Sequence, residues 1–350
     1  MRLERQEAFC FFQCKSNGYP HTKYALHMGR QVRMKNLKKI LDIAGVLTLI
    51  LLLSGCDIAV LNPAGLVAYA QRDLIVISFG LMLCIVIPVM IAVVFFAIKY
   101  RASNQDAKYL PDWGKSHKVE MFMWGIPICM VTVLAVMSAY FTHRYEPSRP
   151  LDPAIAGDEA PLRIDVVALD WKWLFIYPEY GIATINEIYA PTGRQIALQL
   201  TAQDSINAFW VPKLGTVLYA MPQMNAKLHL LSGEDGRFPG VSANYSGDGF
   251  SGMRFSWNSV SRGEFDNWIG RVRRSSGKLD RSAYMALAQK SKDNPVAYFS
   301  GVDEELYYRV VNRCVADGSK CNEDLMRLAA AKSLWGELCS VFDPDVTGID

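Results

Sequence analysis

Cysteine and histidine are the residue types in this sequence that could bind a transition metal, and they are unevenly distributed. None of the eight cysteines lies between residues 147 and 313, and His229 is the only histidine in residues 161–260. The absence of cysteine therefore excludes a thiolate metal site in the middle of the chain. Because His229 alternates with apolar neighbours, we expect it to be hydrated or hydrogen-bonded rather than a metal ligand.

A different cysteine chemistry is indicated at Leu53-Ser54-Gly55-Cys56. These residues follow a basic start and an apolar run over 40–53, which is the pattern of a secretory signal. The small side chains before Cys56 fit a peptidase cleft, and the thiol can accept a diacylglyceryl group before cleavage. We therefore expect lipidation at Cys56; the alternative is a short membrane helix with an incidental cysteine.

The signal region is expected to cover residues 1–55. Residues 1–33 are too long and too polar for the basic start of a signal, so they are expected to be an untranslated extension. Synthesis would then begin at Met28 or Met34.

Two longer apolar segments predict transmembrane helices at about 74–98 and 119–141, within a hairpin over 56–146. The first segment has 25 residues without a charge, and the second contains Glu120 as its one charged residue. The loop between them is basic, whereas Arg72 is the only basic residue in the flank before the first helix. The positive-inside rule makes this loop cytoplasmic, so both Cys56 and the C-terminal part face outward.

Residues 161–260 are expected to form an all-β sandwich, because apolar and polar residues alternate along Ile196, Leu198 and Leu200 and again after Ala226. Residues 263–350 are expected to be a helical C-terminal tail. Three cysteines lie in this tail. Cys314 and Cys321 would pair on an oxidising face of the membrane, although free buried cysteines are equally compatible with the sequence.

An outward β-sandwich on a two-helix hairpin resembles subunit II of the haem–copper oxidases, whose cupredoxin domain carries a binuclear copper site in the cytochrome c oxidases. The copper loop of that family reads Cys-Ser-Glu-x-Cys-Gly-x-x-His-x-x-Met. This sequence has Ser242-Ala243-Asn244-Tyr245-Ser246-Gly247-Asp248-Gly249-Phe250-Ser251-Gly252-Met253. Upstream, Asp204-Ser205-Ile206-Asn207-Ala208-Phe209-Trp210-Val211-Pro212 resembles the segment that supplies a further histidine.

The spacing of the copper loop is retained, but its ligands are not. Neutral hydroxyls, an amide and a phenyl ring cannot replace thiolates and imidazoles on copper. The degenerate ligand positions are Asn207, Ser242, Asn244, Ser246, Phe250 and Met253. This pattern resembles the copper-free members of the family, the cytochrome bo-type ubiquinol oxidases, up to about Val311.

Two further features acquire an interpretation from the resemblance. Trp171 and Trp173, in an aromatic segment similar to that of the family, are expected to lie on one face of a strand and to pack against a neighbouring subunit or the sandwich core. Glu120 matches a glutamate associated in the family with the mouth of a proton-uptake channel. A snorkelling interfacial carboxylate is the equally weighted alternative.

The resemblance implies a structural subunit of a proton-pumping quinol oxidase in the bacterial inner membrane, without a redox centre or catalytic residue of its own. Haem and copper are expected in subunit I, with subunits III and IV and membrane lipid as further partners. The net charge of +3 is small, and the sequence has no basic stripe, so nucleic acid is not expected as a partner. Cytochrome c is not expected as a partner either. The alternatives are a free-standing periplasmic lipoprotein that binds a ligand and a copper-bearing cytochrome c oxidase subunit.

Overall fold

The computed structural model describes Gly45 and residues 58–102, 104 and 114–330. Among them, two helices are long and apolar enough to cross a membrane: α1, Leu66–Lys99, and α2, His117–Arg144. Both predicted spans lie inside these helices. Helix α1 begins eight residues earlier than predicted because its first turns, including Val67 and Ala68, are buried against the globular part.

The globular part follows a short helix, α3, at Pro153–Ala156. Its strands up to the end of the predicted sandwich are β1 Leu162–Leu169, β2 Lys172–Tyr177, β3 Ile182–Ile185, β4 Glu187–Pro191, β5 Ile196–Ala202, β6 Asn207–Trp210, β7 Leu218–Ala220, β8 Ala226–Leu230, β9 Gly236–Ser242 and β10 Arg254–Val260. Side chains between the two sheets form a continuous apolar core that includes Trp173, Phe209 and Phe255. The predicted membrane hairpin and β-sandwich are confirmed.

The region after β10 contains both helices and short strands. Its elements are α4 Arg262–Arg273, β11 Lys278–Leu279, α5 Arg281–Leu287, β12 Ala297–Phe299, β13 Gly301–Val302 and α6 Leu306–Val311. Helix α4 buries its apolar face, which consists of Phe265, Trp268, Ile269 and Val272. The C-terminal helices are therefore confirmed, but the tail is not helical throughout, because short strands lie between its helices.

The strands form two large sheets in the part of the chain that the structure describes, with orders β12-β3-β2-β1-β5-β8 and β4-β10-β9-β6-β7. Strand β12 thus extends the first sheet, where Phe299 pairs with Ala183. Cys314 and Cys321 form a disulfide just after α6. The C-terminal region is consequently part of the globule, held by strand pairing, by a second apolar cluster and by this crosslink.

The start of α1 docks closely on the sandwich. The backbone amides of Ala64 and Gly65 donate to the Lys213 carbonyl at 2.8 and 3.0 Å, and Leu66 donates to the Leu231 carbonyl at 3.2 Å. One turn further along, the Gln71 amide donates to the Thr216 hydroxyl. These bonds fix the loop after β6 and the end of β8 beside the first membrane-spanning helix.

Candidate functional site

The residues that match the copper positions meet at one end of the five-stranded sheet. Asn207 begins β6 and Ser242 ends β9, and these strands pair with Phe209 opposite Ser242. The Ser242 hydroxyl donates to the Asn207 side-chain oxygen at 3.2 Å. Antiparallel pairing thus brings together two positions that lie 35 residues apart in the sequence.

The loop between β9 and β10 is held by bonds within the protein. The Asn207 amide donates to the Ser205 carbonyl at 3.0 Å, and the Asn244 amide donates to the Ile206 carbonyl at 2.9 Å. The Phe250 ring contacts the Tyr245 ring at 5.6 Å, and the Met253 side chain is buried in the sandwich core. Each side chain at a former ligand position, apart from Ser246, therefore has a structural contact of its own.

The chemistry of these side chains does not fit a binuclear copper centre. Such a centre needs thiolate and imidazole donors, whereas the side chains here are amides, hydroxyls, a phenyl ring and one thioether. Across the residues that the structure describes, no three His, Cys, Asp or Glu side chains are grouped so that they could hold a metal. The buried Ser246 hydroxyl has no hydrogen-bond partner among the described residues, but one neutral oxygen cannot replace a bridging thiolate.

Trp171 supports the loop between β9 and β10. Its indole N–H donates to the Ser246 carbonyl at 3.0 Å. A Cβ atom at Gly249 would lie 2.4 Å from the ring, so the loop backbone packs directly on the indole. The Lys292 ammonium lies 5.6 Å from the ring centroid on the side of the C-terminal region.

The expectation that both tryptophans share one strand face is wrong. Trp171 lies in the tight turn between β1 and β2, with a φ of 68°, whereas Trp173 lies on β2. Trp173 is fully buried, with its ring 5.4 Å from that of Phe209. Residues with this i, i+2 spacing would share one face of a continuous strand. Because Trp171 lies in the turn, it packs under the loop, whereas Trp173 on β2 packs in the core.

Lys172, between these tryptophans, is a buried cation that the sequence pattern did not single out. Its ammonium donates to the Gln289 carbonyl at 2.8 Å and to the Ser291 hydroxyl. Burial lowers the pKa of this amine, and the nearby Asp170 carboxylate partly opposes that effect. Lys172 thus attaches the C-terminal region to the sandwich. A lysine inside an otherwise apolar strand was the available signal.

His229 is hydrogen-bonded, as expected. Its Nδ1 lies 3.1 Å from the Pro147 carbonyl oxygen, just beyond α2, and burial lowers the pKa of the imidazole. Glu120 lies in the first turn of α2, with a half-exposed carboxylate 3.9 Å from the His117 ring. Cys56 and, apart from Gly45, the apolar run before it lie outside the described residues.

Comparison with known proteins finds a matching family model and relatives that align with most of the chain. Residues 273–318 match the family model described as the COX Aromatic Rich Motif. The chain is 48% identical over 263 residues to cytochrome bo(3) ubiquinol oxidase subunit 2 of Pseudomonas putida, an alignment that covers 75% of this chain and 82% of that protein. It is 43% identical over 280 residues to ubiquinol oxidase subunit 2 of Acetobacter aceti, covering 79% and 90%.

A solved structure of the periplasmic domain of subunit II of cytochrome oxidase from Bradyrhizobium japonicum is also similar. It has 24% identity and a TM-score of 0.31, and the match covers 32% of this chain and 94% of that one. The alignments with the relatives at 48% and 43% identity cover more than four fifths of the length of each relative and at least three quarters of this chain. On these two alignments, the chain belongs to the ubiquinol oxidase subunit 2 family.

Proposed function

We propose that this chain is the structural second subunit of a proton-pumping complex that oxidises quinol and reduces dioxygen to water. The observation that carries the proposal is the hydrogen-bonded pair of Ser242 and Asn207 where cytochrome c oxidases place copper ligands. A subunit with this donor set has no copper acceptor for electrons from cytochrome c. Electrons would then pass from quinol directly to haem and copper in subunit I.

The hairpin supports a role in assembly. Its two helices contact each other, yet most large apolar side chains along them are exposed, including Phe79, Ile91 and Ile128. Such surfaces are covered in the membrane by lipid or by other helices. We infer that α1 and α2 pack on subunit I, that the globule covers the periplasmic face of that subunit, and that subunits III and IV complete the complex.

The lipid anchor is a separate part of the proposal. The sequence at Cys56 supports cleavage after Gly55 and diacylglyceryl attachment to the thiol, on the outer side of the membrane. An anchor there would hold the new N-terminus close to the start of α1.

The first expected result is copurification. A tagged full-length chain, solubilised from its native membrane, should bring down haem-containing partners with quinol-dependent oxygen uptake, and copper no greater than the partner subunit accounts for. Mass spectrometry of the same sample should find a chain that begins at a lipidated Cys56. A lone, colourless lipoprotein would contradict the proposal and favour the free-standing binding module.

Glu120 is proposed to lie at the entrance of a proton-uptake path into subunit I. Replacing it by glutamine should slow steady-state quinol oxidation several-fold, because an amide cannot take up and release a proton. Oxygen uptake and proton uptake by the purified complex provide the measurement, and the Glu120→Asp variant, which keeps a carboxyl group, is the matched control. Equal rates for the glutamine and aspartate variants would indicate an interfacial residue instead.

A further inference from the structure

The loop between β9 and β10 has little internal structure of its own. It covers residues 243–253 and contains three glycines. Its internal backbone bonds lie in one short turn, where Phe250, Gly252 and Met253 donate to carbonyls three residues earlier at 3.0, 3.1 and 3.1 Å. Glycines make such a loop costly to order, and the side chains at the former ligand positions cannot replace bonds to a metal. Contacts from outside the loop are therefore needed to hold it.

Residues 289–294, between α5 and β12, form a compact turn beside this loop, and we call them the clamp segment. The Ser291 hydroxyl donates to the Asn294 side-chain oxygen at 2.8 Å, and the Asn294 amide donates back to the Ser291 carbonyl at 2.9 Å. Asp293 lies between them with a φ of 52°, in the left-handed region. The two bonds close the turn on itself, so the clamp segment acts as one unit.

The clamp segment is attached to the sandwich by two buried side chains. The Lys172 ammonium, on a residue that is 1% exposed, donates to the Ser291 hydroxyl. The Asn186 amide donates to the Asn294 carbonyl at 2.9 Å. Hydrogen bonds from a buried charged group contribute more than exposed ion pairs do. The position of the clamp segment is thus fixed by the sandwich rather than by the loop.

The clamp segment also contacts the loop. A Cβ atom at Gly252 would lie 2.7 Å from an Asp293 carboxylate oxygen, so this side chain packs on the loop backbone. The Lys292 ammonium lies 3.8 Å from the Asp248 carboxylate and 5.6 Å from the centroid of the Trp171 ring. Because the same ring packs under the loop, the clamp segment reaches the loop both directly and through Trp171.

We propose that the clamp segment supplies the restraint that metal bonds would give a copper-bearing loop, and that the order of the β9–β10 loop depends on it. The clamp segment joins the turn between β1 and β2 to this loop, two parts of the sandwich that are distant in the sequence. The C-terminal region thereby determines the shape of a site to which it contributes no former ligand position. This role concerns the fold of the chain and does not depend on the reaction of the complex.

The test is hydrogen exchange of the purified full-length protein, followed by mass spectrometry. Asn294→Ala breaks the clamp segment from within, since this side chain bonds Ser291. Lys172→Met removes the attachment to the sandwich but keeps an unbranched side chain of similar length. In both variants, exchange at the three bonded amides of the loop turn should become roughly tenfold faster, the factor expected from the loss of one buried hydrogen bond.

Tyr284→Phe is the matched control. It also removes a hydrogen bond between the C-terminal region and the sandwich, from the Tyr284 hydroxyl to the Gln203 side chain at 3.0 Å, but on α5 instead of the clamp segment. Exchange in the loop should stay at the wild-type rate in this variant, and slow exchange along β5 reports that the sandwich remains folded in all three. Wild-type exchange in the loop of either test variant, or an equal increase in Tyr284→Phe, would overturn the proposal.

Discussion

Replacing Trp173 by alanine is expected to lower the free energy of unfolding of the globule by about 3–5 kcal/mol. The side chain is fully buried, and its ring packs edge-on against Phe209 at 5.4 Å and against Phe255 at 5.6 Å. Alanine would leave a cavity between the two sheets. Thermal unfolding of the full-length chain in detergent, followed by circular dichroism, should show a melting temperature lower by roughly 10 °C, at about 2–4 °C per kcal/mol for a domain of this size.

Two variants separate this packing effect from other consequences of losing an indole. Trp173→Phe should cost much less, because the Trp173 N–H is buried without a hydrogen-bond partner among the described residues, and no bond is lost. Trp171→Ala should cost less stability than Trp173→Ala, because Trp171 is only partly buried at the edge of the core, and it should release the loop at Ser246. Equal losses of stability for Trp171→Ala and Trp173→Ala would mean that the sandwich core has been assigned incorrectly.

Replacing Gly65 by alanine is expected to detach the beginning of α1 from the sandwich, at a cost of about 2 kcal/mol. The added Cβ would lie 2.5 Å from the Leu214 carbonyl oxygen and 2.7 Å from its Cα, and backbone atoms cannot rotate away. The amides of Ala64 and Gly65 would then lose their bonds to the Lys213 carbonyl. Hydrogen exchange at these two amides should become roughly 30-fold faster, since 1.4 kcal/mol corresponds to a factor of ten.

Gly233→Ala is the control at the same junction. The Gly233 amide bonds the Ala64 carbonyl at 2.9 Å, but a Cβ there would lie 3.6 Å from that oxygen, an ordinary contact distance. Exchange at Ala64 and Gly65 should be unchanged in this variant. Protection that survives Gly65→Ala would show that the helix and the sandwich are held together by other contacts.

The fold was predictable where the pattern is local and long. Ile196, Leu198 and Leu200 alternate with polar residues, and the structure buries all three on β5. The short strands of the C-terminal region were not predictable, because two or three residues carry too little periodicity. Strand β12 pairs with β3 across more than 100 residues, and nothing near Phe299 or Ala183 in the sequence indicates that pairing.

The spacing of the candidate site was predictable from the sequence, but the contacts of Trp171 and Lys172 that hold it were not. The spacing from Ser242 to Met253 matched the copper loop of the family, and the structure brings the Ser242 hydroxyl within 3.2 Å of the Asn207 side chain. The turn at Trp171 was missed because left-handed backbone is usually signalled by glycine or asparagine. Lys172 was missed because the sequence does not show that its face of the sheet is covered by the C-terminal region.

The indole under the loop bears on how the site could have changed during evolution. The Trp171 N–H bonds the Ser246 carbonyl, and the Trp171 ring packs closely on Gly249. Neither contact involves a side chain at one of the degenerate ligand positions. These two contacts would therefore remain if the Ser246 side chain were exchanged, whereas the bonds of Asn207 and Asn244 depend on their own side chains. The loop backbone thus has one anchor that needs no metal, and such an anchor would allow the length and register of the loop to be kept in a protein that binds none.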